Sequence, residues 1–137
     1  MTRRWKYEPR GPRKPKHGWS KDRPGFVEGK GDQVIGKCPS NLTIKEAEEL
    51  LNTGIEWTNP SSHHKEEWPE QIYVVHQGTV YRAIPTRRGV SYHGFPAQRD
   101  ISRYRRLKDE IIERARELDC EKEVKRWMRK YMGMKQL

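Results

Sequence analysis

The spacing of apolar positions changes several times along the chain, and each change marks an element. Residues 1–32, MTRRWKYEPRGPRKPKHGWSKDRPGFVEGKGD, follow neither a helical nor a strand period. Rich in Pro, Gly, Lys and Arg, they bury too little surface to offset the entropy of ordering, which predicts a flexible basic arm. A spacing of three and four then appears at Ile44, Ala47, Leu50 and Leu51 and predicts a helix over 44–52. Thr43 and Glu46 have the spacing of a capping box, Leu42 and Ala47 stand where a hydrophobic staple would close, and Gly54 is placed to end the helix in a left-handed conformation. Residues 56–70 carry turn formers without a period and read as a long loop anchored by Trp57 and Trp68.

The period becomes two in QIYVVHQGTVYRAIPT, residues 71–86. Gln77-Gly78 favours a two-residue hairpin loop. That loop sets Val75 opposite Val80, Tyr73 opposite Arg82 and Ile72 opposite Ala83. Tyr73, Val75, Val80, Arg82 and Ile84 then share one face, while Ile72, Val74, His76, Tyr81 and Ala83 share the other, which is the better core face. Arg88-Gly89 can make a second tight turn and return VSYHGF as a third strand, with Thr86 opposite Ser91 and Ile84 opposite His93. Pro85 cannot donate a ladder bond and marks an edge or a bulge.

Beyond Asp100, a plausible cap, Ile101, Tyr104, Leu107, Ile111, Ala115 and Leu118 form one apolar stripe. Val124, Trp127, Met128 and Tyr131 form a second, offset around Asp119-Cys120. One long bent helix or two consecutive ones result. The fold class is α+β: a disordered N-terminal arm over 1–32, then a single domain over 33–137 with one short helix, a small antiparallel sheet of about three strands and a long or bent C-terminal helix.

Charge sharpens this picture. The 137 residues hold 29 Lys and Arg against 19 Asp and Glu, a net charge of +10. Residues 1–33 carry ten cations and four acids, 34–100 seven and eight, and 101–137 twelve and seven. Both ends are basic and the middle is not, a distribution that attracts polyanions, nucleic acid foremost. No apolar run approaches the ~18 residues of a membrane span, and the N-terminus lacks a signal peptide's apolar core, so a cytoplasmic protein without membrane contact is expected. Cys38 and Cys120 lie far apart with no Cys or His at ligand spacing, and His63 and His64 are adjacent and diverge. Neither pattern predicts a metal site, and no cofactor motif is present.

Candidate chemistry concentrates on the sheet. The register above gathers Tyr73, Arg82, Thr86, Ser91 and His93 on one face. Such a set could transesterify RNA without a metal: His93 takes the 2′-hydroxyl proton, Arg82 holds the phosphate, and a hydroxyl of Thr86, Ser91 or Tyr92 serves the leaving group. The plainer reading is a polar sheet face with a tight turn. Arg87 and Arg88 at that turn could bind flanking phosphates. In the arm, Trp5, Tyr7 and Trp19 alternate with charge, as in segments that stack on unpaired bases. Arg103, Arg105, Arg106, Arg114 and Arg116 give the C-terminal segment a basic side, continued by Lys122, Lys125, Arg126, Arg129 and Lys130 and set against local ion pairing with Glu110, Glu113, Glu117, Glu121 and Glu123. No Walker loop, nucleophile elbow or paired-carboxylate arrangement is present.

In architecture alone, residues 43–118 are similar to small metal-independent ribonucleases and ribonuclease toxins, where a helical layer supports a sheet bearing His, Arg and hydroxyl groups. The likeness transfers no residue by motif. The sequence therefore reads as a small basic nucleic-acid-binding protein, with RNA or single strands favoured because no clear helix-turn-helix pattern is visible. A toxin-like, metal-independent endoribonuclease centred on His93 and Arg82 is the alternative, and an adaptor for an acidic protein partner is a second.

Overall fold

The computed structural model describes residues 5–8, 25–28, 34–37 and 43–135. Its elements run β1 (Lys6–Tyr7), β2 (Gly25–Glu28), β3 (Val34–Lys37), α1 (Ile44–Asn52), β4 (Ile55–Trp57), β5 (Gln71–His76), β6 (Thr79–Arg87), β7 (Ser91–Pro96), α2 (Arg105–Glu117) and α3 (Glu121–Tyr131). An α+β architecture is present, but the main sheet has five strands rather than three, ordered β1-β7-β6-β5-β4. The pairs among β4 to β7 are antiparallel, whereas β1 lies parallel to β7. β2 and β3 form a separate antiparallel pair, and β3 lies beside β7.

The central hairpin has the register expected from its loop: Val75 opposes Val80, Tyr73 opposes Arg82 and Ile72 opposes Ala83. Gln77 and Gly78 both have positive φ, 49° and 81°, the pair of left-handed residues that matches the twist of the flanking strands. A Cβ on Gly78 would stand 2.7 Å from Glu123 Cβ, so this turn is also wedged against α3. The second turn pairs Ile84 with His93 as expected, but Ser91 opposes Arg87. The ladder shifts between Pro85 and Arg87, leaving Thr86 as the extra residue of a bulge beside the proline.

Both sheet faces are core, which the alternation in β5 and β6 did not convey. Ile72, Val74, Tyr81 and Ala83 pack with Ala47 and Leu51 of α1. On the opposite face Tyr73, Val75 and Val80 pack under Leu107, Ile111, Val124 and Met128. The amphipathic stripes of α2 and α3 need an apolar partner, and the half of the sheet face that looks polar in the strand sequence supplies it in Val75 and Val80.

Local signals around the helices hold in part. Glu46 N donates to Thr43 Oγ1 at 3.1 Å, and the Thr43 hydroxyl donates to Glu46 Oε1 at 3.0 Å, closing the cap side chain to side chain. Leu42 lies outside the described residues. Gly54 is not left-handed; the helix ends on Thr53, and Gly54 is small because a Cβ would stand 2.6 Å from Ile72 Cγ2 and 2.9 Å from the Tyr73 carbonyl. The C-terminal segment is two helices joined by Leu118–Cys120, with Asp119 at φ 57°. Asp100 does not cap α2, whose first turn follows Tyr104; its carboxylate accepts from Ser102 N and Oγ at 2.8 and 2.7 Å.

Residues 5–8 carry no strand period, yet they add the fifth strand. Lys6 N and Glu8 N donate to the carbonyls of Val90 and Tyr92. On the other edge, Asn52 both donates to and accepts from the Trp5 backbone, and Glu48 accepts from Tyr7 N. The rest of the 1–32 arm falls largely outside the described residues. Among the described residues no helix is long and apolar enough to cross a membrane.

Two predictions follow from the hairpin. Gly78→Ala forces a Cβ into a left-handed position and against Glu123, and should cost about 1–3 kcal/mol, read as a loss of about 5 °C or more in Tm. Burial lowers the pKa of His76 below its ordinary 6.5, with Glu46 opposing. The unfolded chain therefore takes up the proton first as pH falls, so stability should decline on acidification through 6.5 toward the depressed native value. His76→Gln should flatten that part of a pH series of urea melts.

Candidate nucleic-acid interface

The bulge at Thr86 decides what the polar strand residues do. Thr86 Oγ1 donates to the Glu8 carbonyl at 2.8 Å and stands 2.7 Å from His93 Nδ1. One hydroxyl has one proton, so His93 Nδ1 must be the donor to Thr86. His93 is 1% exposed, and both of its ring nitrogens are enclosed. A general base has to reach the proton it removes; this imidazole is instead committed to holding β1 onto the sheet through Thr86.

The other members of the expected cluster form a second group. Arg82 Nε donates to Gln71 Oε1 at 2.9 Å, the Tyr73 hydroxyl donates to the same oxygen at 3.0 Å, and the guanidinium lies 5.8 Å from the Phe95 ring centre. Phe95 stands between the groups, its ring 6.2 Å from that of His93. Burial raises the pKa of Tyr73 and lowers that of Arg82. Ser91 is fully buried, and among the described residues its hydroxyl finds no hydrogen-bond partner. Tyr92 projects to the α1 side of the sheet and donates to the Pro69 carbonyl. The register thus brings Tyr73 to Arg82 and Thr86 to His93, but it encloses Tyr73, Ser91 and His93 where a polymer does not reach.

The tryptophan expected to stack on bases is also in the core. Trp5 is 7% exposed, sits edge-on to Tyr92 at 5.5 Å, and donates from Nε1 to Glu56 at 3.2 Å. Trp19 lies outside the described residues. Arg87 is tied to Glu8, while Arg88 borders an open groove with His63, His64, Lys65 and Trp68. That groove is shaped by Glu70, which accepts from Ser62 Oγ and Asn59 N; those hydrogen bonds outweigh burial and hold its pKa below the ordinary carboxylate value.

The two C-terminal helices divide the basic residues differently. On α2, Arg105 faces Asp109, Arg106 faces Glu110, Arg114 faces Glu117 and Arg116 faces Glu113. This helix is compensated along its length, although Arg105 and Arg106 remain almost fully exposed. On α3, Lys122, Lys125, Arg126 and Arg129 recur at i, i+3, i+4 and i+7 and share the face opposite the buried Val124 and Met128. Of the two acids on α3, Glu123 forms no ion pair among the described residues, and Glu121 is held by Arg116 at 2.9 Å and Lys125 at 2.7 Å. Those hydrogen bonds depress its pKa to about 2. Lys122, Arg126 and Arg129 have no carboxylate partner among the described residues. Arg103 lies in the loop before α2, in an open cleft with Arg99 and Tyr104.

The described residues contain no group of three or more His, Cys, Asp and Glu side chains able to hold a metal ion. Cys120 is a buried free thiol at the start of α3, and Cys38 lies outside the described residues. The chain matches no protein-family model, no curated protein and no solved structure.

If Thr86 pins β1, removing its hydroxyl should loosen that strand before the rest. Thr86→Val leaves the Glu8 carbonyl and the His93 Nδ1 proton without a partner and should cost about 1–3 kcal/mol. Hydrogen exchange should accelerate at the Lys6 and Glu8 amides while the β5–β6 ladder keeps its protection; equal acceleration throughout would show that the contact is not local to β1.

Proposed function

We propose that this protein binds nucleic acid, with RNA or single strands favoured, and that the outer face of α3 is its principal phosphate-contacting surface. One observation carries the reading. The basic residues of α2 are offset by acids one turn away, whereas on the α3 stripe, about 10 Å long, Lys125 is paired with Glu121 but Lys122, Arg126 and Arg129 have no carboxylate partner among the described residues. Exposed charge without local compensation is free to displace counterions from a phosphate backbone. The flexible strand is favoured over the duplex because the exposed Arg99 and Arg103 share an open cleft with Tyr104, a pairing of cations with an aromatic ring that suits unpaired bases. A cytoplasmic location fits this role.

A second reading concerns the duplex. α2 and α3 are joined by three residues with a left-handed Asp119, a connection that could present α3 to a major groove. Catalysis is less well supported, because His93, Tyr73 and Ser91 are buried.

The test is fluorescence anisotropy of labelled mixed-sequence RNA, single-stranded DNA and duplex DNA across a salt series in EDTA. Three phosphate contacts, from Lys122, Arg126 and Arg129, give a slope of log K against log salt of about −2 for single strands. Arg126→Glu with Arg129→Glu should weaken binding more than tenfold and reduce the slope, whereas Arg105→Glu with Arg106→Glu should weaken it less. Tighter binding to duplex would favour the second reading. Equal competition by polyglutamate would replace both with an acidic protein partner, and cleavage of the RNA lost in His93→Ala would restore the ribonuclease alternative.

A further inference from the structure

The groove that Arg88 borders is built from two segments of the chain. One is the loop between β4 and β5, which carries His64, Lys65 and Trp68; the other is the turn after β6, with Arg88. The two are fastened together. A Cβ on Gly89 would stand 3.2 Å from Trp68 Cδ1, and the Tyr92 hydroxyl donates to the Pro69 carbonyl. The volume between them is about 680 Å³, within the roughly 300–1,000 Å³ of small-ligand sites. Inside the loop, His64 is held at one ring nitrogen. Its Nε2 lies 2.7 Å from the Trp68 carbonyl, its ring meets the indole edge-on at 4.2 Å, and its amide donates to Ser62 Oγ at 3.1 Å. A carbonyl only accepts, so Nε2 carries the proton and Nδ1 of the neutral ring is an acceptor. Among the described residues Nδ1 makes no hydrogen bond.

The other groups in the groove suit a phosphate-bearing ligand. Lys65 and Arg88 are exposed and form no ion pair among the described residues, whereas the neighbouring Arg87 is held by Glu8. Of the two acids, Glu70 is engaged by Ser62 and Asn59, while Glu66 stands exposed and opposes the cations. The half-buried Trp68 adds an aromatic surface for a base. We propose that this groove takes one nucleotide of a single RNA strand, with its phosphates on Arg88 and Lys65 and its 2′-hydroxyl donating to His64 Nδ1. In a strand the 2′-hydroxyl sits beside the 3′-phosphate, so an acceptor that shares a groove with two cations is placed for the ribose. DNA has no donor at that carbon, and the contact therefore distinguishes RNA from DNA. This inference rests on the nucleic-acid reading above and narrows its ligand: α3 holds any phosphate backbone, and His64 reads the sugar.

The experiment measures binding of one mixed single-stranded sequence, made as RNA, as DNA and as 2′-fluoro RNA, to the full chain, His64→Phe, Arg88→Gln, Glu66→Gln and the α3 double variant. The parent should bind RNA about fivefold tighter than the other two, the worth of one neutral hydrogen bond, because fluorine cannot donate. His64→Phe keeps a ring against Trp68 and should bring RNA affinity down to that of DNA. Arg88→Gln should weaken RNA and DNA alike, by about threefold or more, and Glu66→Gln should strengthen both. In a long-range nitrogen–proton spectrum, His64 Nδ1 should shift with RNA and not with DNA. Equal affinity of the parent for RNA and DNA, an RNA preference intact in a folded His64→Phe, or unchanged affinity in Arg88→Gln overturns the site. If the α3 double variant then still loses affinity for both strands, the nucleic-acid reading stands without it. An RNA preference seen with only one homopolymer makes the contact a base edge and overturns the ribose as its ligand. No strand binding by the parent removes the nucleic-acid reading and this site together. Should His64→Phe fail to fold, the Nδ1 resonance of the parent decides: a shift with RNA alone supports the proposal, and equal shifts or none overturn it.

Discussion

The two left-handed residues at the tip of the β5–β6 hairpin are the constraint on which the remaining structure depends. Gln77 and Gly78 set the register of the two central strands, and side-chain period two then assigns every residue of both to a face. Ile72, Val74, Tyr81 and Ala83 are committed to α1, and Tyr73, Val75 and Val80 to α2 and α3. A slip by one residue would exchange these sets, place Arg82 under α1 and leave the apolar stripes of the C-terminal helices facing polar groups. The layers form because the hairpin offers two different apolar surfaces, each matched in extent to the helices that cover it.

The same arrangement sorts the charges. Packing α2 and α3 on one sheet face turns their outer faces to solvent, and the helical spacing decides which cations meet an acid. On α2 the intervals of three and four place Asp or Glu beside Arg repeatedly; on α3 they pair Lys125 with Glu121 and otherwise place Lys122, Arg126 and Arg129 beside one another. Counts of Lys and Arg do not distinguish these helices, five on each, but net charge does, +1 on α2 against +3 on α3. Spacing adds which of those cations meet an acid.

Much of this is legible in the sequence. The helix over 44–52 and its Thr43 cap, the hairpin register and the pairing of Ile84 with His93 rest on local interactions between residues close in sequence, and such interactions leave a pattern. The break between α2 and α3 was visible as an offset of apolar stripes. What escaped was non-local or one residue out of phase. The two-residue parallel pairing of Lys6–Tyr7 with β7 has no period of its own, so Trp5 and Tyr7 read as arm aromatics rather than core. Thr86 was placed opposite Ser91 because a bulge beside Pro85 adds a residue that turn rules do not count. Gly54 was read as a stop signal, yet its role is set by Ile72 and Tyr73 on a strand that follows much later. The site was legible as a set of residues on one face, but which of them are enclosed depends on α2, α3 and β1, and so does the difference between a reactive histidine and a structural one.

The attachment of β1 bears on the order in which the molecule assembles. Tyr7 lies against Tyr92 and Gly94, and Glu8 meets Thr86, so this short strand closes the longest chain loops among the described contacts. Closing a loop of that length before its neighbours are in place costs entropy without an immediate return. The central hairpin, by contrast, can zip from its tip. Docking of Trp5 and Tyr7 therefore belongs to the last stage of folding, and during synthesis these two aromatic rings stay in water until β7 has left the ribosome. The N-terminal strand is a closing latch, applied to a sheet that the rest of the chain has already built.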